Sequence, residues 1–199
     1  MLSFRNETPK HRSNRRVCAH YKSYKKTLRS DFNMRCGYCN DLDTNRIRNF
    51  VIDHFVPQNP DGWTHTIPSN TYKNLIYACP FCNGAKSNKW PTNNEKLHNN
   101  GIQGFVKPTL KLYSNMFRRD NYGRIIVHKA HPIGIYIYDE LSFDFPIHSL
   151  NWRFEKILEQ EKIIEALKVQ DSVLGIQLND LKILRLEIVD SIYKMYNAE

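Results

Sequence analysis

Two Cys-x-x-Cys pairs, Cys36-Cys39 and Cys79-Cys82, and one adjacent pair, Asp53-His54, are the residues of this chain whose types and spacing can do chemistry. A Cys-x-x-Cys turn aims two thiolates at one centre, and two such turns supply the four soft ligands of a tetrahedral Zn²⁺. Gly37, and Asn40 and Asn83 just after each pair, suit the tight turns involved. Four metal–sulfur bonds leave no open position, so the expected zinc is structural. Disulfides are the competing reading, which a reducing interior disfavours. Cys18 fits no motif and reads as a small core residue.

Asp53 and His54 stand inside "NFVIDHFVPQ", an otherwise apolar, β-branched run. Strands disfavour Asp, and burying either side chain unpaired costs free energy. For an isolated pair, a strand end wetted by solvent explains this. Here the pair lies between the two cysteine turns, inside the segment a metal would clamp.

The surrounding elements follow from periodicity. Residues 1 to about 15 are polar and basic with no period, which predicts a flexible arm. Val17, Tyr21, Tyr24 and Leu28 recur three to four apart, as on a short amphipathic helix. "FVIDHFV" reads as a strand stopped by Pro57, and "PQNPDGWTHTIPSN", with His65, as a loop. "NLIYA" is a second strand. "NGAKSNKW" reads as a helix start with Asn83 near its N-terminus and Pro91 at its end. Residues 92–104 are turn-like. "GRIIVHKA" and "GIYIYDELSF" suggest a small strand pair or irregular packing.

From residue 151 onward the signal is helical. Ile157, Ile164 and Leu167, then Leu174, Leu178, Leu181, Ile188 and Ile192, recur at helical spacings, with a break expected at Gly175. That stripe is core or a docking surface. The predicted class is α+β: segment 1–35 a basic arm and helix, 36–92 a zinc-braced core, 93–150 a connecting segment with short strands, and 151–199 a helical region. A loop-rich module of about sixty residues has little core of its own, so the metal would replace one.

The 199 residues carry a formal net charge of +9. Between Arg5 and Arg35 stand ten Lys or Arg against two acids, a surplus of eight. A concentrated basic segment favours a polyanion, nucleic acid first; Arg12, Arg15 and Arg16 are the candidate contacts. No run approaches the roughly 18 apolar residues of a membrane span, and the first sixteen residues lack a secretory apolar core. A cytoplasmic protein without membrane partners is expected.

The order Cys36, Cys39, Asp53-His54, Asn74, Cys79, Cys82-Asn83, Lys86 resembles the HNH endonuclease family, specifically its four-cysteine zinc branch. "CGYC", "VIDHFVPQ" and "YKNLIYACPFCNGAKSNK" carry the likeness over residues 36 to 90, with Asn83 at the position usually written as His. The resemblance implies a ββα-metal fold in which Asp53 and Asn83 hold a catalytic Mg²⁺ or Mn²⁺. His54 would take a proton from water, Asn74 would orient the loop or the imidazole, and Lys86 would contact backbone phosphates. Lys89, one turn on, is a second phosphate contact inferred from spacing.

The flanks are similar to small standalone bacterial HNH proteins. These include the nuclease subunits of Septu-type anti-phage systems and retron-associated effectors, which act with an ATPase partner. Many of those have Asp-Pro where this chain has Lys107-Pro108. The likeness implies a DNA-cleaving defence nuclease controlled by an ATPase partner, or a homo-oligomer built through the C-terminal helices. The rival class is a zinc-ribbon nucleic-acid-binding module, or an assembly subunit without cleavage of its own.

Overall fold

The computed structural model describes residues 1–44, 48–167 and 172–197. In chain order its elements are β1 (Leu2–Ser3), α1 (Lys25–Asp31), β2 (Val51–His54), β3 (Leu75–Ala78), α2 (Pro80–Lys86), α3 (Lys111–Asn115), β4 (Phe117–Arg119), β5 (Ile125–Val127), α4 (Pro132–Glu140), α5 (Ile147–Ala166) and α6 (Ser172–Asn197). Single 3-10 turns at Tyr21–Tyr24 and Tyr72–Asn74 lead into α1 and β3. The architecture is α+β.

Strands β2 and β3 pair antiparallel, with Asp53 opposite Ile76 and His54 opposite Leu75. Helix α2 follows β3 at once and returns against β2, completing a ββα unit. A second sheet orders β1, β4 and β5, all antiparallel. One cluster of buried apolar side chains runs from Phe4 through Tyr24, Phe55, Leu75 and Phe117 to Phe143. The cysteine-bearing segment therefore shares its core with both flanks and does not stand on metal alone. Helices α5 and α6 form a hairpin with its own small core around Phe154, Ile157, Ile188 and Ile192.

Several elements differ from the periodicity reading. The N-terminal segment is not a free arm: β1 joins the second sheet, and Phe4, Arg5 and Pro9 are buried. Arg5 lies against the Phe4 and Tyr113 rings and donates to the Gly37 carbonyl at 2.8 Å. These are pairings with residues far along the chain, which local periodicity cannot register. The first helical turn begins at Tyr21 and leaves Val17 77% exposed. "GIYIYDE" forms α4, with Pro132 in its first turn, although its residues favour strands; tertiary packing overrides that preference. Gly175 lies within α6, so the expected break is not there: α5 ends at Ala166 and α6 begins at Ser172.

Gly37 shows how closely the first cysteine turn is seated. A Cβ there would meet Ile76 Cγ2 at 2.7 Å and the Phe32 ring at 2.8 Å, both in the core. Its N–H meanwhile donates to the Tyr77 carbonyl at 2.8 Å, fixing the turn on β3. Gly37→Ala is expected to lower stability by about 1–3 kcal/mol through overpacking, read as a drop in melting temperature; an unchanged melt would show the turn to be loosely held.

Candidate active site and metal centre

Helix α2 begins at Pro80, earlier than the expected start near Asn83, because Cys79 caps it. The Cys79 sulfur accepts from the Cys82 N–H at 3.3 Å, and Pro80 presets the first turn. The helix ends at Ser87, whose φ of 46° leaves the helical region before Pro91 is reached. In the first turn, the Asn40 N–H closes on the Cys36 carbonyl at 3.0 Å, with Asn40 itself at a φ of 64°. Asn tolerates that conformation better than most residues.

The two turns bring Cys36, Cys39, Cys79 and Cys82 together, all buried and none in a disulfide. Their four sulfurs lie within 4.8 Å of one another, and Cys39 and Cys79 are 3.8 Å apart. Tetrahedral Zn²⁺ with Zn–S near 2.3 Å requires S···S separations of about 3.8 Å. These cysteines are positioned for metal.

An open cleft of about 320 Å³ is lined by Asp53, His54 and Asn83, with Tyr21, Pro57 and Ser87 around them. His54 is 8% exposed and its Nε2 lies 2.8 Å from the Ser69 carbonyl. A carbonyl only accepts, so Nε2 carries the proton and Nδ1 keeps its lone pair. Burial pushes the imidazole below its usual 6.5, partly offset by the Ser69 bond and the Asp53 charge. The Tyr21 ring stands edge-on to it at 4.8 Å. The arrangement holds a neutral imidazole with a basic nitrogen at neutral pH.

Asp53 is 6% exposed. Its Oδ2 accepts a hydrogen bond from the Tyr38 hydroxyl, and Lys86 Nζ lies 3.2 Å away. Lys86 has no exposed surface and also donates to the His54 carbonyl at 2.9 Å. The expected phosphate contact is thus corrected: Lys86 points inward because it lies three residues after Asn83, on the same helix face, over β2. It fixes the backbone and carboxylate of the adjacent pair. Burial lowers its pKa, with Asp53 acting against that shift. Lys86→Met leaves the carboxylate buried without its cation and is expected to cost about 3–5 kcal/mol; a melting temperature near wild type would contradict this.

Asn74 is buried behind the cleft. Its Oδ1 accepts from the Val56 N–H, and its Nδ2 donates to the Val56 carbonyl, each at 3.0 Å. It holds the loop after β2 and, among the described residues, makes no hydrogen bond to the imidazole. The Asn83 amide is half-buried beside the cleft and makes no hydrogen bond to another described residue. His65 binds the Pro57 carbonyl through Nε2 at 2.6 Å and the Ile67 N–H through Nδ1 at 3.0 Å, which staples the loop.

The basic contacts are scattered. Arg12 pairs with Asp31 at 2.7 Å, and Lys89 with Glu140 at 2.7 Å. Arg15 lies over the Tyr24 ring, and Arg16 is exposed. None of the four lines the cleft. Sequence reasoning missed Tyr38, whose hydroxyl serves Asp53 from inside the first Cys-x-x-Cys turn. It also missed the inward direction of Lys86.

Residues 36–89 match the family model for HNH endonuclease, 54 of the 199 residues. Comparison with curated proteins and with solved structures returns no match. Among the described residues, no helix is long and apolar enough to cross a membrane.

Proposed function

Because residues 36–89 form an HNH endonuclease domain, we propose that the protein hydrolyses DNA phosphodiester bonds at the cleft lined by Asp53, His54 and Asn83. The single observation that carries this reading is the convergence of those three side chains, with the lone pair of His54 Nδ1 left free by the Ser69 contact. Nδ1 takes a proton from water as the water oxygen bonds to phosphorus and the 3′ oxygen departs. Products would carry 5′-phosphate and 3′-hydroxyl ends.

The Asp53 carboxylate and the Asn83 amide oxygen are hard donors that suit Mg²⁺ or Mn²⁺, which when bound stabilises charge on the phosphate and the leaving oxygen. Tyr38 and Lys86 hold the carboxylate in place for that role. Zn²⁺ at the four cysteines is structural and braces α2 against the first turn. Asn74 keeps the loop after β2 in shape. Arg12, Arg15, Arg16 and Lys89 would add sequence-independent phosphate contacts, screened by salt.

We extend the reading to a cytoplasmic defence role with an ATPase partner, which the likeness of the flanks implies. Helix α6 presents Ile176, Ile183, Leu186 and Tyr193, each more than half exposed, as a docking face for that partner or a second copy.

The deciding experiment incubates purified protein with supercoiled plasmid in Mg²⁺, Mn²⁺ or EDTA. Metal-dependent nicking is expected, since one such site cuts one strand at a time. Binding without cleavage in any metal would favour the zinc-ribbon reading. Cleavage that appears only when a partner is added would assign the chain to a regulated assembly.

A further inference from the structure

Helix α2 carries a glycine that its own fold does not require. Gly84 lies inside the helix, where glycine is a poorer choice than alanine because it frees the unfolded backbone. A Cβ built there would meet nothing within 4 Å, so packing does not demand its absence. Its surroundings supply another reason. Gly84 lines the cleft that holds Asp53, His54 and Asn83, and also a second hollow of about 350 Å³. Among the described residues it alone lines both.

The second hollow is walled by rings and a cation, where the α2 helix meets the C-terminal hairpin. Phe145 is 37% exposed although it stacks on Phe81, with centroids 4.7 Å apart and planes 17° from parallel. Phe81 packs against both the main core and the small core of the hairpin, which fixes this wall. The exposed Arg48 guanidinium lies over the Tyr196 ring, 5.2 Å from its centre. Met195 adds a polarizable apolar side chain.

We propose that this hollow holds an unpaired base of the substrate strand, which reaches it from the cleft across Gly84. This rests on the cleft being where DNA is cut. Aromatic faces accept any base by stacking, and an arginine beside them adds cation–π contact and a charge for the phosphate backbone. Continuity with the cleft favours a nucleic-acid occupant over a protein segment. A base can enter only once it is out of its duplex stack. The substrate class is therefore DNA that is single-stranded beside the cut: free strands, flaps or unwound segments. Negative supercoiling favours strand opening, so a supercoiled plasmid still offers such a site.

The test measures binding of the full chain to a fluorescent single strand and to the same sequence as duplex. No Mg²⁺ or Mn²⁺ is added, so zinc stays in place and nothing is cut. Phe145→Leu keeps an apolar cover on Phe81 but removes the flat face. It should weaken single-strand binding about tenfold and leave duplex binding unchanged. Gly84→Gln obstructs the passage and should weaken single-strand binding likewise. Its melting temperature should stay level or rise, since glycine is the weaker helix former. A 2-aminopurine moved through successive positions of an oligothymidine should be quenched at one of them by wild type, and by Phe145→Leu at none. With Mg²⁺ or Mn²⁺, wild type should cut single strands and flaps faster than intact duplex.

Unchanged single-strand binding in folded Phe145→Leu overturns the proposal, as do equal losses on single strand and duplex. Should Phe145→Leu fail to fold, Gly84→Gln decides by the same single-strand measurement. Absence of quenching at every position, or equal cutting of duplex and single strand, also overturns it. A chain that binds and quenches yet cuts neither substrate in any metal sinks the cleavage reading instead, with the base-holding hollow upheld.

Discussion

His54→Ala is expected to slow metal-dependent plasmid nicking by about 10²- to 10⁴-fold, the usual worth of a positioned general base. Zinc content and DNA binding should persist. The ring contributes one hydrogen bond, to the Ser69 carbonyl, and the Tyr21 contact. Ser69 is exposed, so its carbonyl can turn to water, and the cost in stability should stay near 1 kcal/mol. The two readouts therefore separate chemistry from folding.

The pH profile of the wild type adds an independent check. The base works only when neutral, and burial holds its pKa below 6.5. Cleavage should thus stay level as pH falls toward 6.5 and decline only below it. The sign for stability is the same. The unfolded chain binds a proton at this histidine more readily than the folded one, so the stability contribution present above pH 6.5 is lost as pH falls through the lower folded value. Equal nicking by wild type and His54→Ala, or an acid limb well above pH 6.5, would sink the assignment.

Cys79→Ser should have the larger effect on the fold. Serine is a favoured helix cap, so the variant can still accept from the residue-82 N–H at the start of α2. What it loses is a soft metal ligand. A structural zinc contributes on the order of 10 kcal/mol or more, comparable to the whole stability of a domain. Loss of bound zinc, with a collapsed or much lowered thermal transition, is expected. The shared core from Phe4 to Phe143 can preserve residual structure at the second sheet, so chelator-measured zinc content is the primary readout. Full zinc content with an unchanged melt would mean that the sulfurs are only packed together.

Much of this was readable from residue order, and for definite reasons. Cys-x-x-Cys spacing is local geometry, so the clustering of Cys36, Cys39, Cys79 and Cys82 was legible, as was the strand pair around Asp53. The placement of Phe4 and Arg5 was not, because a two-residue strand has no period and its partners lie beyond residue 100. Strand-favouring residues in α4 misled because packing against the core decides that segment. The inward turn of Lys86 was not legible, because the family likeness that implies a phosphate contact at this position carries no sign of its burial against Asp53 and the His54 carbonyl. The stacking of Phe81 on Phe145, from elements far apart in the chain, left no trace in local pattern.

The double employment of Cys79, as cap of α2 and as one of four clustered sulfurs, sets the order of assembly. Seven residues are too few for a helix to nucleate by itself in water. Ion capture at the sulfurs would supply that nucleus, so the turn carrying Asn83 would take shape only as the chain is loaded. A molecule stripped of its metal would then keep much of its interior yet present an unfinished cleft, and phosphodiester cleavage would follow zinc supply as well as magnesium.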